Sequence, residues 1–129
     1  MPTVLFIDDE PQVLVTFPRL FRRDSFRVVT AHSAAAALAI IDAQEISVVV
    51  TDHRMPGMLG GALLAHLAAH APHIGRILLT GDFGLQDDGI ATAAALEVLR
   101  KPASSVDLRA AIGRMLARGT IPIARVATR

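Results

Sequence analysis

The chain has no cysteine, no tryptophan and no tyrosine. Without cysteine there is no disulfide framework, no thiolate zinc site and no thiol redox chemistry. Aromatic content is 4%, all of it phenylalanine, so the platforms on which nucleobases stack are missing. An excess of one charge is missing too: 13 basic and 12 acidic residues leave a formal net charge of +1. That balance offers no electrostatic footprint for DNA or RNA, and direct nucleic-acid binding is not expected. No apolar run approaches the roughly 20 residues of a membrane span. The N-terminus lacks the charged, apolar, small order of a signal peptide. No membrane association is expected, and a soluble, cytoplasmic protein is the default reading.

What is present is apolar. At 129 residues, 52% hydrophobic and a mean hydropathy of +0.45, the chain suits one domain with a sizeable core. Short β-branched runs alternate with helical patterns. Thr3 to Ile7 reads as a central strand buried on both faces. Glu10 to about Arg23 reads as a helix on the spacing of Val13, Phe17, Leu20 and Phe21. Pro18 inside it is expected to kink or shorten it, at roughly 3 kcal/mol if fully interior. Phe26 to Thr30 is the second strand, and Ser33 caps the alanine-rich helix through Leu38 and Ile41. Ile46 to Thr51 is the third strand, and Gly60 to about Ala71 the next helix, closed by Pro72. Arg76 to Leu79 is the fourth strand. A polar loop from Thr80 to Gly89 leads to a short helix near Ile90 to Ala94. Leu96 to Leu99 is the fifth strand, and Ser104 or Ser105 caps a last helix ending near Arg118-Gly119. Residues 1–118 form the expected domain. Residues 119–129, with Pro122 and no helical period, are expected to be a tail or linker. Five alternations of strand and helix predict a doubly wound α/β fold around a five-stranded parallel sheet.

In such sheets, ligands bind at the carboxyl ends of the strands. Asp8 and Asp9 follow the first strand, Asp52 the third, Thr80 the fourth and Lys101 the fifth. Carboxylates gathered without a counter-charge raise one another's pKa. A hard divalent cation relieves that, and Mg²⁺ takes one or two carboxylates with water and phosphate oxygens. A threonine hydroxyl and a lysine ammonium suit phosphoryl oxygens. The set matches phosphoryl transfer, in which a carboxylate such as Asp52 can act as the nucleophile.

FIDDEP, VVVTDHRMPG, LLTG and LRKP, in this order and spacing, resemble the receiver domain of bacterial two-component response regulators, over roughly Pro2 to Leu116. The resemblance implies a flavodoxin-like sheet with strand order 2-1-3-4-5. It implies that Asp52 accepts a phosphoryl group from a sensor histidine kinase, or from a small acyl phosphate, with Mg²⁺ as cofactor. Asp9 and Asp52 would ligate the metal directly, Asp8 mainly through water, and Arg54 through its carbonyl. Thr80 and Lys101 would contact the phosphoryl group, and the Lys101-Pro102 bond would be cis. The result is a signalling switch rather than a turnover enzyme, acting on an output protein or output domain that the sequence does not name.

The pattern departs from the family at several points. Val98 stands where an aromatic residue is frequent, three positions before Lys101, which removes the ring of the usual switch. Leu59 stands where an acid or amide is common, and Pro18 is unusual in the first helix. Val98 keeps a second reading open: a degenerate receiver serving as a constitutive interaction or dimerisation module. Met115, Leu116, Ile121 and Ile123 offer apolar surface for a homodimer. A third reading is a phosphatase with an aspartate nucleophile. Such enzymes usually place a second acid two residues on, where this chain has Arg54. Arg54 and Asp82 are further expected to pair over the site, restrict the attacking water and slow loss of the phosphate.

Plainer roles compete for single residues. Asp8 or Asp9 suits an N-cap, although a cap needs one acid rather than three. His66 and His70 have metal-ligand spacing, but no acid or cysteine accompanies them, and a solvated helix face explains them better. Asp87-Asp88 reads as a helix start favoured by the dipole. The basic residues of the tail read as a solvated linker.

Overall fold

A computed structural model describes residues 1–81 and 94–128, with side chains through residue 118. The strands are β1 (Thr3–Ile7), β2 (Arg27–Ala31), β3 (Val48–Asp52), β4 (Gly75–Thr80) and β5 (Glu97–Arg100). The helices are α1 (Pro11–Leu14), α2 (Thr16–Leu20), α3 (Ala34–Ala43), α4 (Gly60–His70) and α5 (Ser105–Thr128). All strand pairs are parallel, in the order β2-β1-β3-β4-β5. The expected Asp82, the Asp87-Asp88 helix start and the helix near Ile90 lie outside the described residues.

The central strands β1, β3 and β4 are buried along their whole length, which accounts for the consecutive apolar residues Val4–Ile7, Val48–Val50 and Ile77–Leu79. Side chains alternate between two cores, as the period of two in a strand requires. Val4, Phe6, Val48, Val50, Ile77 and Leu79 face α1, α2 and α5, joined there by Phe17, Phe21 and Ile112. Leu5, Ile7, Val49 and Leu78 face α3 and α4, against Ala34, Ala37, Leu63, Leu64 and Leu67. Helices therefore cover both faces, and the sheet is doubly wound. In the first core the ring of Phe6 stacks on Phe17 at 4.3 Å and on Phe21 at 5.5 Å between centroids.

The first and last helices differ from the sequence expectation, and the bounds of β2, β3, β4 and β5 shift by one or two residues. The helix expected over Glu10–Arg23 is broken at Val15 and ends at Leu20. The break places Pro18 in the first turn of α2, where a missing N–H costs nothing. Arg22 and Arg23 consequently follow the helix. The last helix runs to Thr128 rather than ending near Arg118-Gly119. Glycine and proline penalise a helix by about 1 and 3 kcal/mol, and neither residue ends this one. β3 ends one residue later than expected and includes Asp52 itself.

Capping follows the sequence closely. The Ser33 hydroxyl accepts the Ala36 amide at 3.0 Å, and Ser104, not Ser105, accepts the Asp107 amide at 3.0 Å. Arg76 is a buried cation that the pattern of the sequence did not signal. Its guanidinium donates to the carbonyls of Ala94, Pro72 and Ile74 at 2.8, 3.1 and 3.0 Å, which ties the entry to β5 onto β4. Burial, with a contribution from Arg118, holds that guanidinium below its ordinary pKa.

Candidate phosphoryl-transfer site

The order β2-β1-β3 reverses direction at β1, and the carboxyl ends of β1 and β3 flank that switch point, where open α/β sheets bind ligands. Asp8 leaves β1 there and is 2% exposed. Its amide donates to the Ala31 carbonyl at 3.2 Å, and its carboxylate accepts the Glu10 amide at 3.0 Å. The N-cap of α1 is Glu10, with no side-chain cap bond, so capping does not account for Asp8 and Asp9. Asp52 is the last residue of β3, 8% exposed. Each of Asp8, Asp9 and Asp52 offers an oxygen within 4.8 Å of the others, and this is the only such acid or histidine cluster among the described residues.

Lys101 reaches in from the end of β5. Its Nζ lies 2.9 Å from Asp52 Oδ1 and 3.9 Å from Asp8 Oδ2. Its amide donates to the Thr80 carbonyl at 2.9 Å, and the Lys101-Pro102 bond is cis, as expected. Thr80 ends β4, 6% exposed. The four strand ends thus bring Asp8, Asp9, Asp52, Thr80 and Lys101 to one edge. Arg54 lies in the loop two residues beyond Asp52, and its carbonyl enters the metal set through the resemblance alone.

Electrostatics describe a site short of positive charge. Burial raises the Asp8 carboxyl above its ordinary pKa, aided by the charges of Asp52 and Asp9 and opposed by the Glu10 amide and Lys101. For Lys101, burial alone would lower the ammonium. The hydrogen bond and charge of Asp52, with Asp8 and Glu10, outweigh it and raise the net value. One ammonium offsets only part of the charge of three clustered carboxylates. A donor set made entirely of oxygens, with charge to spare, suits a hard divalent cation.

A model of the response regulator receiver domain matches residues 4–113. The chain belongs to that family. The receiver is 34% identical over 102 residues to the hydrogenase transcriptional regulatory protein HoxA of Cupriavidus necator, covering 78% of this chain and 21% of that protein. The chain therefore spans about a fifth of that relative's length. A receiver domain protein from Clostridium thermocellum superimposes with a TM-score of 0.85 at 34% identity, covering 94% of this chain and 98% of that one. The response regulator TrrA of Thermotoga maritima, solved in complex with Mg²⁺ and BeF, shares the fold with a TM-score of 0.80 at 23% identity, covering 89% of this chain and 99% of that one.

Two features of this receiver were not legible beforehand. Gly60 lies against the backbone of Asp52: a Cβ there would fall 2.1 Å from the Asp52 carbonyl oxygen. His53 bonds both amides that open α4, Gly60 through its carbonyl at 2.8 Å and Gly61 through ring Nδ1 at 3.2 Å. The signal for it was an absence, since Leu59 precedes the helix and cannot cap it. Val98 is half-buried and packs with Ala94 and Ala95 against the α3–α4 core. His66 and His70 stack on one another at 4.3 Å, with the His70 ring on the His66 carbonyl at 2.9 Å. An open cleft of about 500 Å³ adjoins Asp8 and Lys101, walled by Phe17, Leu20, Pro102 and Leu108.

Proposed function

We propose that the receiver accepts a phosphoryl group on Asp52 from the phosphohistidine of a sensor kinase and uses the acyl phosphate as a signal. The observation that carries this is the 2.9 Å contact of Lys101 with Asp52 beside two further carboxylates. In the reaction an Asp52 carboxylate oxygen attacks phosphorus, a P–O bond forms, and the P–N bond to the donor imidazole breaks. The imidazole leaves with the electron pair and takes a proton from solvent. Lys101 exchanges its carboxylate contact for a phosphoryl oxygen, and the Thr80 hydroxyl donates to another. Asp8, Asp9, Asp52 and the Arg54 carbonyl would hold Mg²⁺. When bound, it neutralises the repulsion between these carboxylates and an incoming phosphoryl group.

The protein is a switch, modified once per signal, and not a turnover enzyme. The retained Asp52–Lys101 pair supports this over a constitutive interaction module. The apolar-walled cleft beside the site suits the docking of the donor protein. A cytoplasmic location fits a kinase partner, and no described helix is long and apolar enough to cross a membrane. We propose residues 1–118 as the receiver domain, a boundary that falls within α5, and an output protein or domain as the partner that reads the signal. Borohydride trapping after phosphorylation, followed by peptide mapping, tests the assignment. Modification of Asp52 is expected, and modification elsewhere would overturn it.

A further inference from the structure

The loop that carries Asp52 into α4 is closed by a single residue. α4 begins at Gly60 behind Leu59, with no side-chain cap and no acid in its first turn. A helix start leaves its first amides without partners. Here the partner comes from seven residues before the helix. The His53 carbonyl takes the Gly60 amide at 2.8 Å, and its ring Nδ1 takes the Gly61 amide at 3.2 Å. The His53 amide in turn donates to the Leu79 carbonyl at 3.0 Å, extending the β3–β4 ladder past Asp52. One residue is therefore tied to the sheet by its backbone and to the helix by its ring.

Three other contacts make that closure tight. Gly60 packs on the Asp52 carbonyl with no room for a Cβ. Met55 is buried in the α3–α4 core. Gly57 turns the chain with φ +88°, in the left-handed region that glycine adopts without strain. Arg54 lies within the closed segment, between His53 and the buried Met55. Wherever His53 and Met55 are held, the Arg54 peptide is held too.

We infer that His53 is a positioning residue: its imidazole, accepting the Gly61 amide at Nδ1, closes the Asp52–α4 loop and so sets the Arg54 carbonyl for the metal. The inference rests on the proposed Mg²⁺ set. Partners that orient metal ligands commonly change affinity by about 10- to 100-fold. The ring must carry its proton on Nε2, because a protonated Nδ1 cannot accept the Gly61 amide.

Two measurements test it, neither of them activity. Ring ¹⁵N shifts of the parent report the tautomer directly, and Nε2–H is expected. Titration calorimetry with MgCl₂ then compares the parent with His53→Leu and His53→Asn. Leucine fills the space without an acceptor and is expected to weaken Mg²⁺ by about tenfold, with faster exchange of the Gly61 amide. Asparagine offers Oδ1 near the position of Nδ1 and is expected to restore both toward the parent. A purely packing role for His53 would not distinguish these variants in this order. An Nδ1–H ring, a leucine variant that binds as tightly as the parent, or an asparagine variant no better than leucine overturns the inference alone. If leucine does not fold, the tautomer and the asparagine variant decide. A parent that binds no Mg²⁺ overturns the metal reading and this inference together, so the two failures read apart.

Discussion

Asp8 is a carboxylate that the fold holds at a cost. Burial raises its folded pKa above the ordinary value of 3.8. Above the raised value the group is charged in both the folded and unfolded states, and the fold bears the penalty of burying it. As pH falls through the raised value toward 3.8, the folded protein takes up the proton first, and the penalty is relieved. The sign is opposite to that of a salt-bridged aspartate. Without Mg²⁺, Asp8→Asn should therefore be more stable than the parent at neutral pH, with the gain shrinking on acidification. The amide still accepts the Glu10 N–H. Urea unfolding at two pH values checks this, and a less stable variant at neutral pH would contradict it. Lys101 behaves in the complementary way: its raised pKa contributes stability that persists below the ordinary 10.5 and is lost as pH rises through the folded value. The acids, the threonine and the lysine were legible because each stands at a strand end, where an apolar run stops. His53, Gly60 and Arg76 were not. Their roles depend on what lies across the chain from them, and neither type nor spacing reveals that.

Elements were legible where local chemistry agreed with packing. Thr3–Ile7 was read to the residue because no polar group interrupts it. The first helix was expected over Glu10–Arg23 with a kink or early end at Pro18; it does end early, at Leu20, but the break falls at Val15. A break at Val15 keeps the spacing and places the proline in a first turn. At the last helix Ser104 and Ser105 were equivalent as letters, and only geometry separates them. Ser104→Ala should cost about 1 kcal/mol, and Ser105→Ala far less, by urea unfolding. Equal costs would mean the cap at Ser104 does not hold. Gly60 offers a sharper test. Helix propensity alone predicts that Gly60→Ala stabilises the protein by about 1 kcal/mol. The 2.1 Å approach to the Asp52 carbonyl predicts the reverse, a loss of roughly 1–3 kcal/mol from overpacking. The sign of the change decides between them.

At the scale of the molecule, the sheet order explains why residues far apart in sequence meet. Switching direction at β1 sets its end beside that of β3, and β4 and β5 add Thr80 and Lys101 in register. The alternation of strands and helices made the doubly wound parallel sheet legible, and the resemblance to receiver domains implied its order. The length of α5 was not, since glycine and proline argued for an earlier end. If the acids hold Mg²⁺, the folded state alone binds it, and stability rises by about 2.7 kcal/mol at a concentration 100 times the dissociation constant. Asp9→Asn should lose most of that increment. Unfolding with and without Mg²⁺ measures it, and an equal increment in the variant would remove Asp9 from the metal set. The central claim is phosphoryl acceptance by Asp52. Its most direct test is the intact mass of the parent and of Asp52→Asn after incubation with a small acyl phosphate, with and without Mg²⁺. The account predicts a single phosphoryl adduct on the parent only, and only with Mg²⁺. An adduct of equal yield on Asp52→Asn, or none on the parent despite bound Mg²⁺, would contradict it.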